Sequence, residues 1–441
     1  MKNVIVLILA AGDSTRFWPC GDKQLFKFSG QTLIRRLLSQ LVNFGFENYC
    51  LVVNKNNQQA IEQIILQFSH QNIDLVLQEQ GFGMGEAVLS ASHIIKNKEV
   101  LIINPNDVFE NLLLHKWQEI YQTKPEGIIA GMHFKGYFPG GYLSISGSKV
   151  KSITEKPTRD NLPSDVVKFV FDYYRNGNNL ITILKETISN KDDLYEKAIQ
   201  KLVNKGNSIV FLEYRGFWSG LKYPWHVLDI TSFLLNGAKS KKGRNVQIEK
   251  SAVIYGNVCI EDDVRIMEGA KIVGPCYIGR GTVIGNQAII RESMIGENCV
   301  IGYSTEIARS YIGNSCWFHS NYIGDSVISE NVSMGAGTVL ANFKLNENNI
   351  FSEINRVRVD TGRMKLGAIV GKGVRIGINC SIMPGVKIGK NSTIGAAVLL
   401  NQDIADNKRV NHEPLKYVIT ENKKQVSENF RNQTIKKIKM F

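Results

Sequence analysis

IEKSAVIYGNVCIEDDVRIMEGAKIVGPCYIGRGTVIGNQAII, residues 248–290, decides the fold of the back half of this 441-residue chain. Ile248, Ile254, Ile260, Ile266, Ile272, Ile278, Ile284 and Ile290 recur at an unbroken spacing of six. After a phase slip the series continues through Ile295, Ile301 and Ile307, then Ile328, Met334 and Leu340. It resumes at Val370, Ile376, Ile382, Ile388, Ile394 and Leu400, so the repeats run from Gln247 to Asp406. A helix places apolar residues at a period of about 3.6 and a half-buried strand at about 2, so this period fits neither alone. It fits a coil of flat faces in which each hexad supplies one short strand and its aliphatic residue points inward onto the next coil. That is a hexapeptide β-helix. The Gly beside the aliphatics, as in Ile295-Gly296, Ile301-Gly302 and Ile388-Gly389, is expected at tight corners that need a positive φ.

A 43% hydrophobic content over this length gives two or three domains with ample core. The net charge of +13 would suit a nucleic-acid surface, but its placement argues otherwise. Lys239, Lys241, Lys242 and Arg244 give +4 within residues 236–245, and the last 35 residues give +6. The two folded blocks are therefore nearly neutral, and the expected division is 1–235, a basic linker 236–245, a coil 246–406 and a basic tail 407–441. No specific nucleic-acid partner is expected. Seven cysteines without a C-x-x-C, most of them inside the repeats, fit a reducing cytoplasm. The opening MKNVIVLILAAG reads as a buried first strand, since a charged run follows it at once, and no stretch is long enough to span a bilayer.

Residues 1–235 alternate apolar and amphipathic runs. Val4–Ala10, Tyr49–Val53, Leu75–Gln78, Val100–Ile103 and Gly127–Met132 read as strands, with helices between them. The alternation predicts an open, mostly parallel sheet with ligands at the carboxyl ends of its strands. At the first such end stand Leu9-Ala10-Ala11-Gly12-Asp13-Ser14-Thr15-Arg16-Phe17-Trp18-Pro19, with Lys23 following. Small residues let backbone N–H groups approach phosphate oxygens, and Arg16 and Lys23 can neutralise a polyphosphate. Asp107 follows another strand, where a carboxylate facing such a loop suits a hard cation or, alternatively, a turn.

The run resembles the signature of sugar-1-phosphate nucleotidylyltransferases, L-A-A-G-x-G-T-R-x-x-P followed by P-K-x-L. Ala10, Ala11, Gly12, Thr15, Arg16, Pro19, Lys23 and Leu25 match; Ser14 replaces the second Gly and Asp22 the Pro. Gln80–Ala87 resembles the family's base-contacting Q-x-x-G-T-G-x-A, with Gln78 and Gln80 competing for the base and Gly85 in the loop. Asn106-Asp107 resembles the G-D that binds Mg²⁺. Gly140-Gly141-Tyr142 and Glu155-Lys156-Pro157 resemble the sugar-contacting G-Y and E-K-P. Trp218–Trp225 (WSGLKYPW) resembles W-x-D-V-G-x-P-W, with Gly220 where the metal-holding aspartate is usual; Val167–Tyr174 occupies the place of a sugar-touching N-x-G. Ser219 and Asp172 are the candidates to replace that aspartate.

The repeats resemble left-handed hexapeptide acyltransferases. Phe318–Asp325, Met334–Thr338 and Ala341–Phe343 carry H-x-x-Y-x-G-D, G-A-G-T and a C-N-Y-like segment. The same order occurs in bifunctional glucosamine-1-phosphate acetyltransferase/N-acetylglucosamine-1-phosphate uridylyltransferases. The resemblance implies an α/β Rossmann-like nucleotidyltransferase domain followed by an all-β left-handed parallel β-helix. It implies transfer of a nucleotidyl group from UTP or dTTP to a sugar 1-phosphate of N-acetylglucosamine or glucose type, with Mg²⁺, plus N-acetylation of an amino-sugar 1-phosphate by acetyl-CoA. Carried over by position, Arg16 and Lys23 serve the first reaction and His319 is the general base of the second. Tyr322 and Asn342 position the sugar phosphate and acetyl groups, Arg309 stands where a Lys commonly grips the phosphate, and main-chain groups around Ala336 and Ala368 line the CoA groove between neighbouring chains. A cytoplasmic homotrimer is implied. The extra loop Leu345–Lys365, with Arg356, Arg358, Arg363 and Lys365, suits a cover over the acyl donor or plain solvation. The rival readings are nucleotidyl transfer with the coil as scaffold, and a non-catalytic regulatory homologue.

Overall fold

The computed structural model describes residues 1–79, 83–413, 418–422 and 427–438. Strands of two or three residues along the back half pair in parallel into sheets of eight, nine and eight strands. The hexad aliphatics form three ladders, such as Ile248–Ile266–Ile284–Ile301 on one face and Ile260–Ile278–Ile295–Ile312 on another. From Val258 to Ile404 their side chains make one continuous buried core. The gap between Ile307 and Ile328 is filled by Ile312, Phe318 and Ile323, all fully buried. Corners that lose one residue shorten the spacing there and hide the repeat.

Gly269, Gly281, Gly337 and Gly373 sit at corners with positive φ as expected, but the glycines directly after the hexad aliphatics have a different cause. Gly296 and Gly302 lie outside the positive-φ set; the left-handed residues are Asn298 (φ 54°) and Ser304 (φ 51°), two positions on. Gly296 is glycine because a Cβ there would lie 2.6 Å from the Gly313 backbone of the next coil. Close stacking of backbones, not turn geometry, excludes a side chain. The coil also starts earlier and ends later than expected. Lys241–Lys242, read as linker, pairs with Cys259–Ile260, and Arg409–Val410 pairs with Thr393–Ile394.

In the front half the strands are β1 (Val4–Leu9), β2 (Asn48–Val53), β3 (Asn72–Leu77), β4 (Glu99–Ile103), β5 (Asp107–Phe109), β6 (Gly127–His133), β7 (Gly141–Ser146), β8 (Lys149–Glu155), β9 (Val166–Tyr174), β10 (Ile209–Glu213) and β11 (Trp218–Gly220). The sheet order is β3-β2-β1-β4-β9-β6-β10-β8-β7. β1 is apolar along its whole length because it is packed from both faces, by two separate clusters. β1 to β4 pair in parallel, as expected, but β9 runs antiparallel to both β4 and β6. The far half of the sheet is therefore mixed. β5 and β11 form a separate two-stranded ribbon in which Asp107 faces Gly220.

A fourth cluster joins the halves. Phe17, Phe26 and Phe28 of the front pack with Tyr277, Met294, Tyr311, Ile350 and Ile354 of the back. The Phe26 and Tyr311 rings lie 4.8 Å apart, and the Tyr311 hydroxyl donates to the Lys27 carbonyl at 2.7 Å. The extra loop is a hairpin, Phe351–Ile354 with Val357–Asp360, whose Arg363 pairs with Asp229 of the front half. It braces the two halves through this pair and through Ile350 and Ile354. Among the described residues no helix is long and apolar enough to cross a membrane.

Gly296→Ala is expected to destabilise the coil by about 1–3 kcal/mol through overpacking, and Asn298→Gly, at a positive φ, to change stability by no more than about 0.5 kcal/mol. Denaturant unfolding of the two variants checks the contrast.

Candidate active sites

The phosphate loop leaves β1 with its carbonyls tied back. Asn57 Nδ2 and Gln24 Nε2 donate to the Ala10 carbonyl at 2.8 and 3.2 Å, and Asn54 Nδ2 to that of Ala11 at 3.0 Å. In a trans peptide the N–H points opposite to the C=O, so the Ala11 and Gly12 N–H groups face away from these amides. Thr15 is fixed by Asp13, whose Oδ1 accepts from the Thr15 amide and hydroxyl at 3.1 and 3.2 Å. Both departures from the signature have local explanations. Ser14 adopts φ 58°, the left-handed region where Gly is free, and its Oγ accepts from the Lys23 amide at 3.2 Å. Asp22 sets the turn that Pro would set, accepting from the Gln24 amide at 2.8 Å.

Arg16 and Lys23 both lie on this loop, near enough for their charges to interact. Burial, followed by the charge of Arg16, holds the Lys23 ammonium below the usual lysine range, while Asp13, Asp22 and Asp107 pull it upward. Asp107 therefore shares the site with both cations. It is only 7% exposed, and burial pushes its carboxyl up to about 7, against the Trp218 hydrogen bond, Lys168 and Lys23. Trp218 Nε1 donates to Oδ2 at 3.1 Å and Asn104 Nδ2 to Oδ1 at 3.2 Å.

Opposite stands Gly220, where a Cβ would lie 3.0 Å from Asp107 Oδ1. Asp172 does not replace the missing carboxylate, contrary to expectation. It is sealed in β9, with its Oδ2 2.7 Å from Lys168 Nζ and accepting from the Tyr195 hydroxyl at 2.8 Å. Among the described residues no three His, Cys, Asp or Glu could hold a metal together. One carboxylate fits a hard cation that brings phosphate and water ligands with it, but not one caged by protein alone.

Gly141 and Glu155, expected to contact the sugar, are cross-strand partners, and a Cβ on Gly141 would lie 3.3 Å from Glu155 Oε2. Gln78 sits just beyond β3, its amide donating to the Val53 carbonyl at 2.8 Å. Gln80 lies outside the described residues. Gly85 is buried, and a Cβ there would come within 2.8 Å of Leu194, so helix packing rather than nucleotide contact explains it. The sequence reading missed Lys222. Its Nζ donates to the Pro139 carbonyl, and its electrostatic neighbours are Arg16, Lys156, Glu155 and Lys23. The only signal was a Lys in WSGLKYPW where the family pattern has Gly.

On the coil, His319 is exposed at the corner after Trp317–Phe318, its ring stacked 6.4 Å from Trp317. The next strand begins with Tyr322. At that strand's far end Arg309 grips Asp325 through Nε and Nη2, both at 2.8 Å, and Asn342 Nδ2 donates to Asp325 Oδ2 at 2.5 Å and to the Tyr322 hydroxyl at 3.4 Å. Tyr322, Asn342 and Arg309 thus form one network with Asp325, and His319 lies three residues before Tyr322, at the corner where that strand begins. Two of the five guanidinium N–H groups of Arg309 are committed to Asp325, which leaves three for an anion. Ala336 is exposed, and its carbonyl accepts from the Asn379 amide at 2.9 Å. Ala368 is corrected outright. It is fully buried, its N–H donates to Ser326 Oγ at 3.2 Å and its carbonyl accepts from the Val327 amide at 3.0 Å, so its main chain lines no groove.

Residues 5–230 match the family described as Nucleotidyl transferase, 240–359 the GMPPB C-terminal domain, and 367–402 the Bacterial transferase hexapeptide (six repeats). The last match identifies the three-sheet prism as a left-handed parallel β-helix. Among known proteins the chain is 32% identical over 428 residues to the Bifunctional protein GlmU of Methanococcus maripaludis, covering 92% of this chain and 96% of that one. It is 31% identical over 423 residues to the Bifunctional sugar-1-phosphate nucleotidylyltransferase/acetyltransferase of Sulfurisphaera tokodaii, covering 90% and 97%.

Gly220→Asp sets a second carboxylate against Asp107. In EDTA it is expected to lower the thermal midpoint, by about 1–3 kcal/mol of crowding, and Mg²⁺ is expected to restore it. Wild type without nucleotide is expected to show little response to Mg²⁺; an equal response in both proteins would refute the single-carboxylate reading.

Proposed function

We propose that this chain, which belongs to the family of bifunctional sugar-1-phosphate nucleotidylyltransferase/acetyltransferases, transfers the nucleotidyl group at the mouth of its sheet and the acetyl group at the coil face that carries His319. The observation that carries the first assignment is the convergence of Arg16 and Lys23, from the loop after β1, with Asp107, from the start of β5. A sugar 1-phosphate oxygen attacks the α-phosphorus of UTP or dTTP in line, the bond to the β-phosphate breaks, and pyrophosphate leaves. The nucleophile is already ionised, so no base is needed. The protein's task is positioning and charge.

Arg16 and Lys23, with the Ala11 and Gly12 N–H groups, hold the triphosphate. Glu155 lies over Gly141, where it can accept from sugar hydroxyls. Gln78 and Gln80 are the candidates to read the base. Asp107 would hold a Mg²⁺ that arrives on the nucleotide; such an ion supplies further neutralisation of the phosphate oxygens.

On the coil, the amine of an amino-sugar 1-phosphate attacks the thioester carbonyl of acetyl-CoA. His319 takes the amine proton and returns it to the departing thiolate. Tyr322 and Asn342 orient the acceptor, and the Arg309–Asp325 pair holds the edge of the face. His319 is exposed in the single chain, which suits a cleft completed by a neighbouring coil in a homotrimer.

The test pairs two assays, pyrophosphate release from UTP or dTTP with a panel of sugar 1-phosphates, and thiol release from acetyl-CoA with glucosamine 1-phosphate. Asp107→Ala is expected to slow the first by about a hundredfold or more and spare the second; His319→Ala is expected to do the reverse. If both variants match wild type in both assays, the assignments are wrong.

A further inference from the structure

Lys222 is an unusual cation in an unusual place. It leaves the β5–β11 ribbon two residues after Gly220, and its ammonium reaches the Pro139 carbonyl, next to the glycines that line the sugar side. Its Nζ lies 5.5 Å from the Phe138 ring and 5.9 Å from that of Tyr223, so two aromatic faces fix its direction. Its neighbours come from both halves of the site. Arg16 and Lys23 belong to the phosphate loop, and Glu155 and Lys156 to the sugar side. Glu155 is committed to Lys156 at 3.0 Å, and among the described residues Lys222 makes no ion pair.

A half-buried ammonium whose one carboxylate neighbour, Glu155, is already paired with Lys156, beside three other cations, is costly unless an anion joins it. An NTP alone does not explain its position, because it faces the Pro139–Gly141 and Glu155–Lys156 segments as well as the loop. Between those segments and the loop the phosphate of the sugar substrate has to meet the α-phosphate of the nucleotide. We infer that Lys222 binds the phosphate of the sugar 1-phosphate and holds it against the nucleotide α-phosphate bound by Arg16. This rests on the nucleotidyl-transfer reading of the same site. The lysine makes and breaks no covalent bond. The sugar phosphate oxygen forms the new bond to the α-phosphorus, pyrophosphate carries away the electron pair of the broken one, and Lys222 keeps its proton while offsetting repulsion between two phosphates. Gly220 fits this picture, since a carboxylate there would stand two residues away and oppose the charge that Lys222 supplies.

Burial, with Arg16 and Lys156 adding to it, lowers the Lys222 ammonium to about 8. It is charged below that pH and lost as pH rises through it. The groups facing it are Arg16, Lys23, Lys156, Glu155, Tyr223 and His226, and the last is kept neutral by burial down to about 4.

The experiment measures steady-state pyrophosphate release by the full chain with N-acetylglucosamine 1-phosphate or glucose 1-phosphate and UTP. Acetyl transfer serves as the control for folding. Lys222→Ala is expected to raise KM for the sugar 1-phosphate about tenfold or more, the scale of a lost charge-assisted hydrogen bond, with KM for UTP changed by no more than about threefold. Lys222→Arg is expected to recover most of that loss. It is also expected to remove the fall of kcat/KM for the sugar substrate above about pH 8 seen in wild type. An unchanged sugar KM in Lys222→Ala, or a rise confined to UTP, overturns the inference while leaving nucleotidyl transfer standing. Absence of pyrophosphate release by wild type with every sugar and nucleotide tried overturns both.

Discussion

The contact between Phe26, Phe28 and Tyr311 sets the frame in which the front site is built. Phe26 lies 4.8 Å and Phe28 5.8 Å from the Tyr311 ring, and Phe17, the residue after Arg16, stands edge-on to Phe26 at 5.3 Å. Each such aromatic pair adds about 1 kcal/mol beyond the area it buries. Trp18, one residue further, donates to Asp406 at 2.8 Å, and Lys387 lies beneath its ring while bound to Asp403 and Ser352. Arg16 is thus carried on a segment whose following two residues are anchored to the coil. The coil can serve as an anchor because its backbones stack too closely to slip, as Gly296 against Gly313 illustrates. The hexad repeat that dictates the prism therefore also fixes the loop of the other domain.

Charge is distributed unevenly over the front site. Arg16, Lys23 and Lys222 stand without ion-pair partners among the described residues, although Asp13, Asp22 and Asp107 act on Lys23 and Glu155 on Lys222. Cations placed this close repel one another, and phosphates offset that repulsion. That is the expected design for a reaction in which binding and orientation of two anions matter more than proton transfer. The coil solves a different problem. There the network of Arg309, Asp325, Asn342 and Tyr322 is internally neutral and rigid, and the imidazole that must exchange a proton stands apart from it in solvent reach.

Much of this was legible in the sequence. The aliphatic spacing gave the prism, and the strand ends gave Arg16, Lys23 and Asp107, because residues that follow apolar strands in such sheets meet at one edge. What was hidden depends on packing between distant segments. Ile312, Phe318 and Ile323 escaped the repeat because their corners are one residue short. Ala368 and Gly85 carried motif positions but are consumed by coil hydrogen bonding and by Leu194. Lys222 acquires meaning only because the Pro139 loop folds back over the β5–β11 ribbon, a contact between residues 83 apart. The pairing of Arg363 in the extra loop with Asp229 was hidden for the same reason, since it crosses the domain boundary.

Hydrogen–deuterium exchange on the full chain, comparing wild type with Tyr311→Ala, reads the coupling between coil and loop most directly. Loss of the Tyr311 ring is expected to speed exchange at the amides of Asp13–Phe28, while the amides of β2 and of the coil beyond Ile376 keep their protection. Unchanged protection across Asp13–Phe28 would mean that the loop holds its shape without the coil, contradicting the claim that the prism is part of the nucleotide site.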